Sequence, residues 1–308
     1  MVTNSQPQIA IITDDPGWHG TELVSALRHH GLGGRYLSLT ECCLALDETD
    51  QLVRLPGFEN YLPLGVFVRG VPGGSLEQVI FRLDVLHALV SMGVTVYNDP
   101  RAIERTVDKA LTTFLLKRAG LPTPATWVLE SAEEAGAICR REFCRGRQLV
   151  LKPLFGSQGL GVHRITPDTG LIHDETFADL YYLQTYVGSE ESDWQDIRVF
   201  VIDGKARAAM RRHGNSWITN RAQGALCEAM PLDAGIVQLA EDAVRAMDID
   251  YAGVDLIPDR DGNLTIIEVN SIPAWWGLQS VTDFSIADAL IDHFVRRIGA
   301  GQSLTVST

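Results

Sequence analysis

No two of the five cysteines (Cys42, Cys43, Cys139, Cys144, Cys227) have the Cys-x-x-Cys spacing and their number is odd, so buried or incidental thiols are expected rather than a zinc site. Long apolar runs are missing too, and without about 20 uncharged residues in a row no spanning helix is predicted. The opening residues, Met1 to Gln8, have neither the basic nor the apolar stretch of a secretory signal, so a cytoplasmic location is expected. Positive charge is scarce: 26 Lys and Arg against 39 Asp and Glu give a net charge of −13, which argues against a nucleic-acid or anionic-membrane partner. Repeats and low-complexity tracts are absent. What is present is the balance of an ordinary soluble chain, 45% hydrophobic and 21% charged over 308 residues, enough for two or three packed units and suited to a small-molecule role.

The first hundred residues alternate apolar strands with amphipathic helices. Gln8 to Thr13 and Leu64 to Val68 read as buried strands, as does Val94 to Tyr97, and Gln78 to Met92 reads as a helix burying Val79, Leu83, Leu86 and Leu89. This order implies a parallel sheet covered on both faces, whose ligands bind beyond the carboxyl ends of the strands. His19 and Arg69 fall just past such ends. Asn98-Asp-Pro100 marks a boundary, and Arg101 to Ala119 then reads as one helix ended by Gly120 and the prolines at 122 and 124. The expected units are 1–98, 99–187 and 188–308.

The second unit carries a strand, Gln148 to Lys152, that runs into Phe155-Gly-Ser-Gln-Gly-Leu-Gly-Val162. No Gly-Lys-Ser/Thr follows, so this is not a Walker loop, and Val162-His-Arg-Ile165 continues as strand, so it is not a dinucleotide fingerprint. The expected form is a hairpin flap. Gly156, Gly159 and Gly161 let backbone N–H groups approach phosphate oxygens, and Lys152 adds positive charge.

Two further hairpins follow from Asp-Gly turns. Asp203-Gly204 separates Asp196–Ile202 from Lys205–Arg212. A simple two-residue loop sets Asp196 opposite Arg211, whereas a bulge would bring Arg212 to that face. Asp261-Gly262 separates Ala252–Pro258 from Asn263–Asn270. A two-residue loop there sets Asp255 opposite Glu268, with Asn270 on the same face and Ile267 and Val269 turned into a core. Facing carboxylates destabilise a sheet unless a cation lies between them, and Mg²⁺ suits two carboxylates plus an amide.

Taken in order, these motifs resemble the ATP-grasp superfamily, in the group typified by the ribosomal-protein S6 glutamate ligase. The resemblance runs from about Val66 to the C-terminal helix. It rests on Asp108-Lys109, Leu149-Val-Leu-Lys152 before the glycine loop, Gln184-Thr-Tyr-Val187, Asp196-Ile-Arg198, Arg212, Trp217-Ile-Thr-Asn220, Ala252-Gly-Val-Asp255 and Glu268-Val-Asn270. It implies a mixed α/β fold with a Rossmann-like N-terminal domain, a central lid bearing the glycine hairpin, and a C-terminal antiparallel sheet carrying a metal site. ATP is then the nucleotide, held by Lys109, Lys152, Gly156, Ser157, Gln158, Gly159 and Gly161. The strand Gln184, Thr185, Tyr186 and Val187 lies along the adenine, and Asp196, Thr219 and Asn220 complete the site. Thr185 stands where the family carries Glu, a change that backbone contacts tolerate. Asp255, Glu268 and Asn270 match the ligands of two Mg²⁺ (or Mn²⁺) ions, and Arg198, Arg211 and Arg212 are the candidate catalytic cations.

The implied reaction is phosphorylation of a carboxylate by ATP followed by amide formation with an amino acid, which requires charge neutralisation and alignment. The segment Asn270 to Asp283 is similar to that of ligases adding L-glutamate to pterin-type cofactors, and Trp275 and Trp276 are placed to stack on such an acceptor. The alternatives are ligation to a peptide or protein tail and a non-catalytic ATP-binding regulator. A homo-oligomer is expected.

Overall fold

The computed structural model describes residues 8–47, 51–156, 159–172, 177, 179–188, 194–221, 224–259 and 261–305. The chain divides into two compact units: Met1–Ile103 with Ile249–Tyr251 and Ile272–Thr308, and Glu104–Asp248 with Ala252–Ser271.

In the first unit, β1 (Ile9–Ile12) leads into α1 (Gly17–His29) and β2 (Gly34–Leu37). A small ribbon of β3 (Cys43–Leu44) and β4 (Val53–Arg54) precedes β5 (Gly65–Val68), α2 (Leu76–Ser91) and β6 (Thr95–Tyr97). The sheet order is β2-β1-β5-β6 and every pairing is parallel, as the alternation of strand and helix predicts. β1 and β5 are buried at every position, as befits strands covered on both faces. Ser75 opens α2 with a capping box to Gln78. On one side of the sheet, Tyr97 stacks on Tyr251 at 4.9 Å between ring centroids, with Phe67 and Phe294 against the pair.

The stretch expected as one helix is two, α3 (Pro100–Val107) and α4 (Lys109–Arg118). Asp108 divides them: its backbone leaves the helical region and its carboxylate caps the amides of Ala110 and Leu111 at 2.8 and 3.0 Å. The helical periodicity runs through this break, which is why the pattern alone hides it. The break sets Lys109 at the first position of a new helix.

The second unit continues with β7 (Thr126–Leu129), α5 (Ala132–Cys144), β8 (Leu149–Lys152), β9 (His163–Ile165) and β10 (Tyr181–Thr185), forming a four-stranded antiparallel sheet in the order β7-β10-β8-β9. Then come β11 (Gln195–Ile202), β12 (Lys205–His213), β13 (Leu226–Met230), α6 (Ala234–Met247), β14 (Tyr251–Pro258) and β15 (Leu264–Asn270), with the sheet order β13-β12-β11-β14-β15. α7 (Trp276–Gln279) and α8 (Ile286–Thr305) close the chain, and α8 packs on α1 and β6 of the first unit.

Both Asp-Gly hairpins form, and both carry a bulge. At the β11–β12 turn, Asp203 and Gly204 have φ of 57° and 65°, the two left-handed residues of the predicted tight turn, and Ile202 faces Lys205. Between Phe200 and Val201 the register shifts, so Asp196 faces Arg212 while Arg211 faces Ile197. The β14–β15 turn is longer than expected: Asp259 N–H donates to the Asn263 carbonyl at 2.8 Å, and among the described residues of the turn Gly262 alone has positive φ. A bulge at Ile267 then cancels the extra turn residue, and Asp255 faces Glu268 as predicted. The bulge also corrects the face of one residue. Ile266 and Val269 are buried, while Ile267 is only half-buried, because the extra residue interrupts the two-residue alternation.

Candidate functional site

One cavity in the second unit collects most of the predicted residues. Lys109, Lys152, Gly156, Gly159, Gln184, Thr185, Tyr186, Val187, Asp196, Arg212, Thr219, Asn220, Asp255 and Glu268 all line it. Ser157 and Gln158 lie outside the described residues. Gly161 belongs to the same glycine turn, at φ 68° beside Pro153. Gly156 and Gly159 have φ of 143° and 74°, and a Cβ on Gly159 would stand 2.6 Å from Ile218 and 3.0 Å from the Asn220 amide oxygen. Glycine is therefore required there both by conformation and by the close packing of flap on loop.

The lysines come from different elements, Lys109 from α4 and Lys152 from β8. Lys109 Nζ donates to the carbonyls of Gly156 (2.7 Å) and Leu154 (3.4 Å), tying α4 to the flap. Lys152 Nζ donates to Gln184 Oε1 at 2.7 Å, and the Gln184 amide in turn donates to Thr126 and to the Tyr182 hydroxyl, which is 2.7 Å from Thr113 Oγ1. Burial, partly offset by Glu268 and reinforced by Lys109, brings Lys152 from 10.5 down to about 8. Burial also lowers Lys109, against the pull of Glu268. Tyr182 and Thr113 were not singled out from the sequence. The signals were available: Tyr182 shares a strand face with Gln184, and Thr113 lies one helical turn beyond Lys109.

Asp255 is the centre of the buried charge. Arg198 grips it with both prongs at 2.7 Å, and Arg212 Nη2 reaches it at 3.0 Å. Arg212 also forks onto Asp196 at 2.5 and 2.6 Å, and Thr219 donates its hydroxyl to Asp196 at 2.5 Å. Burial alone would raise the Asp255 carboxyl, but Arg198 and Arg212 outweigh it and hold it below the usual carboxylate range. For Asp196 burial prevails over Arg212, and its carboxyl sits above that range. Arg212 is held more firmly protonated than a free guanidinium, because Asp255 and Asp196 outweigh its burial. Strand alternation turns Arg211 away from this face, and it does not line the cavity, whereas Arg212 does.

The metal-type residues keep unsatisfied valence. Glu268 has no hydrogen bond or ion pair with any described residue, although it faces Asp255. Asn270, two residues further along the same face, has a buried Nδ2 without a partner. A carboxylate offers about four lone-pair sites, and the guanidiniums take three of those on Asp255, leaving one on Oδ1. Among the described residues no group of three or more His, Cys, Asp or Glu side chains could hold a metal ion. The donor set is instead two carboxylates and an amide, the hard oxygen chemistry that suits Mg²⁺ with water and phosphate completing its shell.

Comparison with known proteins shows the family of the chain. The family model of the RimK-like ATP-grasp domain matches residues 106–294. The chain belongs to the RimK-like ATP-grasp family. Tetrahydromethanopterin:alpha-L-glutamate ligase of Methanocaldococcus jannaschii is 37% identical over 240 residues, 75% of this chain and 79% of the relative. The ligase of the same name from Methanosarcina acetivorans is 28% identical over 319 aligned residues, covering 92% and 96% of the two chains. Among solved structures, the ATP-grasp ligase PsnB in complex with a phosphomimetic variant of its minimal precursor, Mg and ADP superposes with a TM-score of 0.74 at 20% identity, over 96% of this chain and 100% of that one. The fold is thus the ATP-grasp fold the motifs predict, and this RimK-like protein is an ATP-grasp ligase. No helix among its described residues is long and apolar enough to cross a membrane.

The tryptophans expected at the acceptor differ from each other. Trp275 is fully buried against His19 and Trp18, whereas Trp276 is 49% exposed. Trp275 is a packing residue of the first unit, its ring fully enclosed.

Proposed function

We propose that this ligase joins L-glutamate in amide linkage to the carboxylate of a small, cofactor-like acceptor, using ATP. The observation that carries the reading is the pairing of an unneutralised Glu268 with Asp255 beside Lys109, Lys152 and Arg212, in a chain whose relatives are named for glutamate ligation to tetrahydromethanopterin. Ligation to a peptide tail is the second reading. It is favoured by the fold likeness to PsnB, a ligase solved with its precursor.

Asp255, Glu268 and Asn270 would hold the divalent ions, two in this reading. When bound, those ions neutralise the transferring phosphoryl group and align it with the attacking carboxylate. Lys152 and Lys109 supply charge for the phosphates from two sides. Arg212, fixed by Asp196 and Asp255, presents a rigid cation to charge that develops in the transition state, without reorganisation. The amides of Thr185 and Tyr186 are taken by the carbonyls of Ala125 and Gln148, so the N–H of Val187 is the first along this strand left to meet the base. The flap, held by Lys109 at Gly156, keeps water from an activated acyl group.

In this chemistry a turning-over sample forms ADP and phosphate, and hydroxylamine traps the activated carboxylate as a hydroxamate. Phosphorus NMR reads the outcome directly. Accumulation of AMP and pyrophosphate would mean adenylation and would remove the reading.

The lowered Lys152 gives a pH dependence. Its protonated form is the one that binds phosphate, so ATP affinity should weaken as pH rises through about 8, where an ordinary lysine would stay charged to about 10. Lys152→Arg should flatten the profile. Calorimetric titrations of ATP across this range check it, and a flat wild-type profile would contradict the role given to Lys152.

A further inference from the structure

The first unit has a ligand-binding geometry of its own. In the order β2-β1-β5-β6, the chain moves outward from β1 to β2 on one side and from β5 to β6 on the other, so the sheet reverses between β1 and β5. Open parallel sheets bind ligands in the crevice beyond the carboxyl ends at that switch point. The two ends are tied there: the Arg69 amide donates to the carbonyl of Ile12 at 2.8 Å, which fixes the first residue after β5 beside the last residue of β1.

Arg69 is a part-buried cation with no carboxylate partner among the described residues. Its Nη1 donates to the carbonyl of Pro273 at 3.1 Å, the Tyr251 hydroxyl oxygen accepts from its guanidinium, its guanidinium carbon lies 4.6 Å from the Trp275 ring centroid, and its buried Nε has no partner. His19 completes the wall. Its Nε2 accepts the Trp275 amide at 3.1 Å, which leaves the proton on Nδ1 and the ring neutral. Burial first, and Arg69 second, lower His19 to about 4, so it stays neutral at physiological pH. Asp14, the carboxylate nearest in sequence to this crevice on the β1 side, takes the Ser38 hydroxyl at 2.5 Å instead. A buried guanidinium fork without an anion is costly unless an anion arrives, and its planar pair of donors matches a carboxylate.

We propose that the crevice at the carboxyl ends of β1 and β5 is a carboxylate-binding subsite in which Arg69 grips the anion, with Trp275 and Pro273 fixing the plane of its fork. This deepens the ligase reading and rests on it, since both the amino acid and the acceptor bring a carboxylate. The subsite serves one of these two sources.

The test is calorimetry on the full chain without turnover, using three probes: L-glutamate, benzoate as a minimal aryl carboxylate, and inorganic phosphate. Arg69→Met should weaken at least one carboxylate by about tenfold or more, and Arg69→Lys, which keeps the charge but loses the fork, should weaken the same probe to a smaller extent. Loss confined to L-glutamate assigns the subsite to the amino acid, and loss confined to benzoate assigns it to the acceptor. Thermal melts of the same samples report that the variants are folded; should Arg69→Met fail to fold, Arg69→Lys carries the comparison. No carboxylate binding by the wild type, carboxylate affinities unchanged in the folded variants, or phosphate bound as tightly as the carboxylates would each overturn the proposal. Because nothing turns over, failure of the ligase reading would show in the phosphorus NMR and not in these isotherms.

Discussion

Glu268→Gln should leave a folded chain whose turnover is at most about a hundredth of the wild-type rate, the size of loss seen when one transition-state charge contact is removed. Glu268 faces Asp255 across β14 and β15, lines the cavity and has no partner among the described residues. Gln keeps its volume and removes its charge. A carboxylate held in the fold by ion pairs would destabilise the chain when neutralised. Glu268 has none, and one fewer negative charge opposite Asp255 relieves the sheet. Stability should therefore hold or rise slightly while activity collapses. Steady-state rates across a Mg²⁺ titration, with thermal melts of the same samples, separate the two effects. A variant that turns over near the wild-type rate at ordinary Mg²⁺ would remove Glu268 from the metal-binding set.

Asp255→Asn should have the opposite balance, with a large loss of stability in addition to lost activity. Asp255 is 6% exposed and shares its carboxylate between Arg198, 11% exposed, and Arg212, 2% exposed. Breaking a buried ion pair on one side leaves uncompensated charge at a cost of about 3–5 kcal/mol, which for a unit of this size lowers the melting temperature by about 10 °C. Asn retains one acceptor oxygen, so the lower end of that range is expected. The sign of the pH dependence follows from the carboxyl being depressed in the fold. Its contribution is present above the unfolded value of about 4 and is lost as pH falls through the lower folded one, so wild type and variant should begin to converge only once pH drops below the unfolded value. Melts at neutral and acid pH decide this. A variant as stable as wild type at neutral pH would show that the two arginines are neutralised elsewhere.

The two substitutions alter facing residues of one hairpin, and their contrast comes from neighbours that local sequence does not display. The sequence contained the hairpin, the alternation that aligns Glu268 with Asn270, the glycine flap and the parallel sheet of the first unit, because these depend on contacts close along the chain and on periods of two or 3.6 residues. It also contained Asp108-Lys109, although the helix break there was hidden by a periodicity running through it. It set Asp255 opposite Glu268 by a turn one residue too short, and the agreement arose because the bulge at Ile267 offsets the longer turn.

Only the tertiary structure decided between Arg211 and Arg212. A single extra residue, Arg207, opposite the Phe200/Val201 step reverses every side chain beyond it, and nothing in an alternating strand announces where such a residue is accommodated. Tertiary structure likewise decided that Arg198 and Arg212 clamp Asp255. β11 and β14 are neighbours in the sheet, yet Arg198 and Asp255 lie 57 positions apart. The Arg69, His19 and Trp275 group is the extreme case, with the Arg69 to Pro273 bond spanning 204 residues and the Trp275 to His19 bond 256. Local chemistry determined which carboxylates, lysines and glycine turns this protein carries. Which charges are neutralised inside the fold, and which are left for a ligand, depends on strand order and bulges, and these are settled only when distant segments pack.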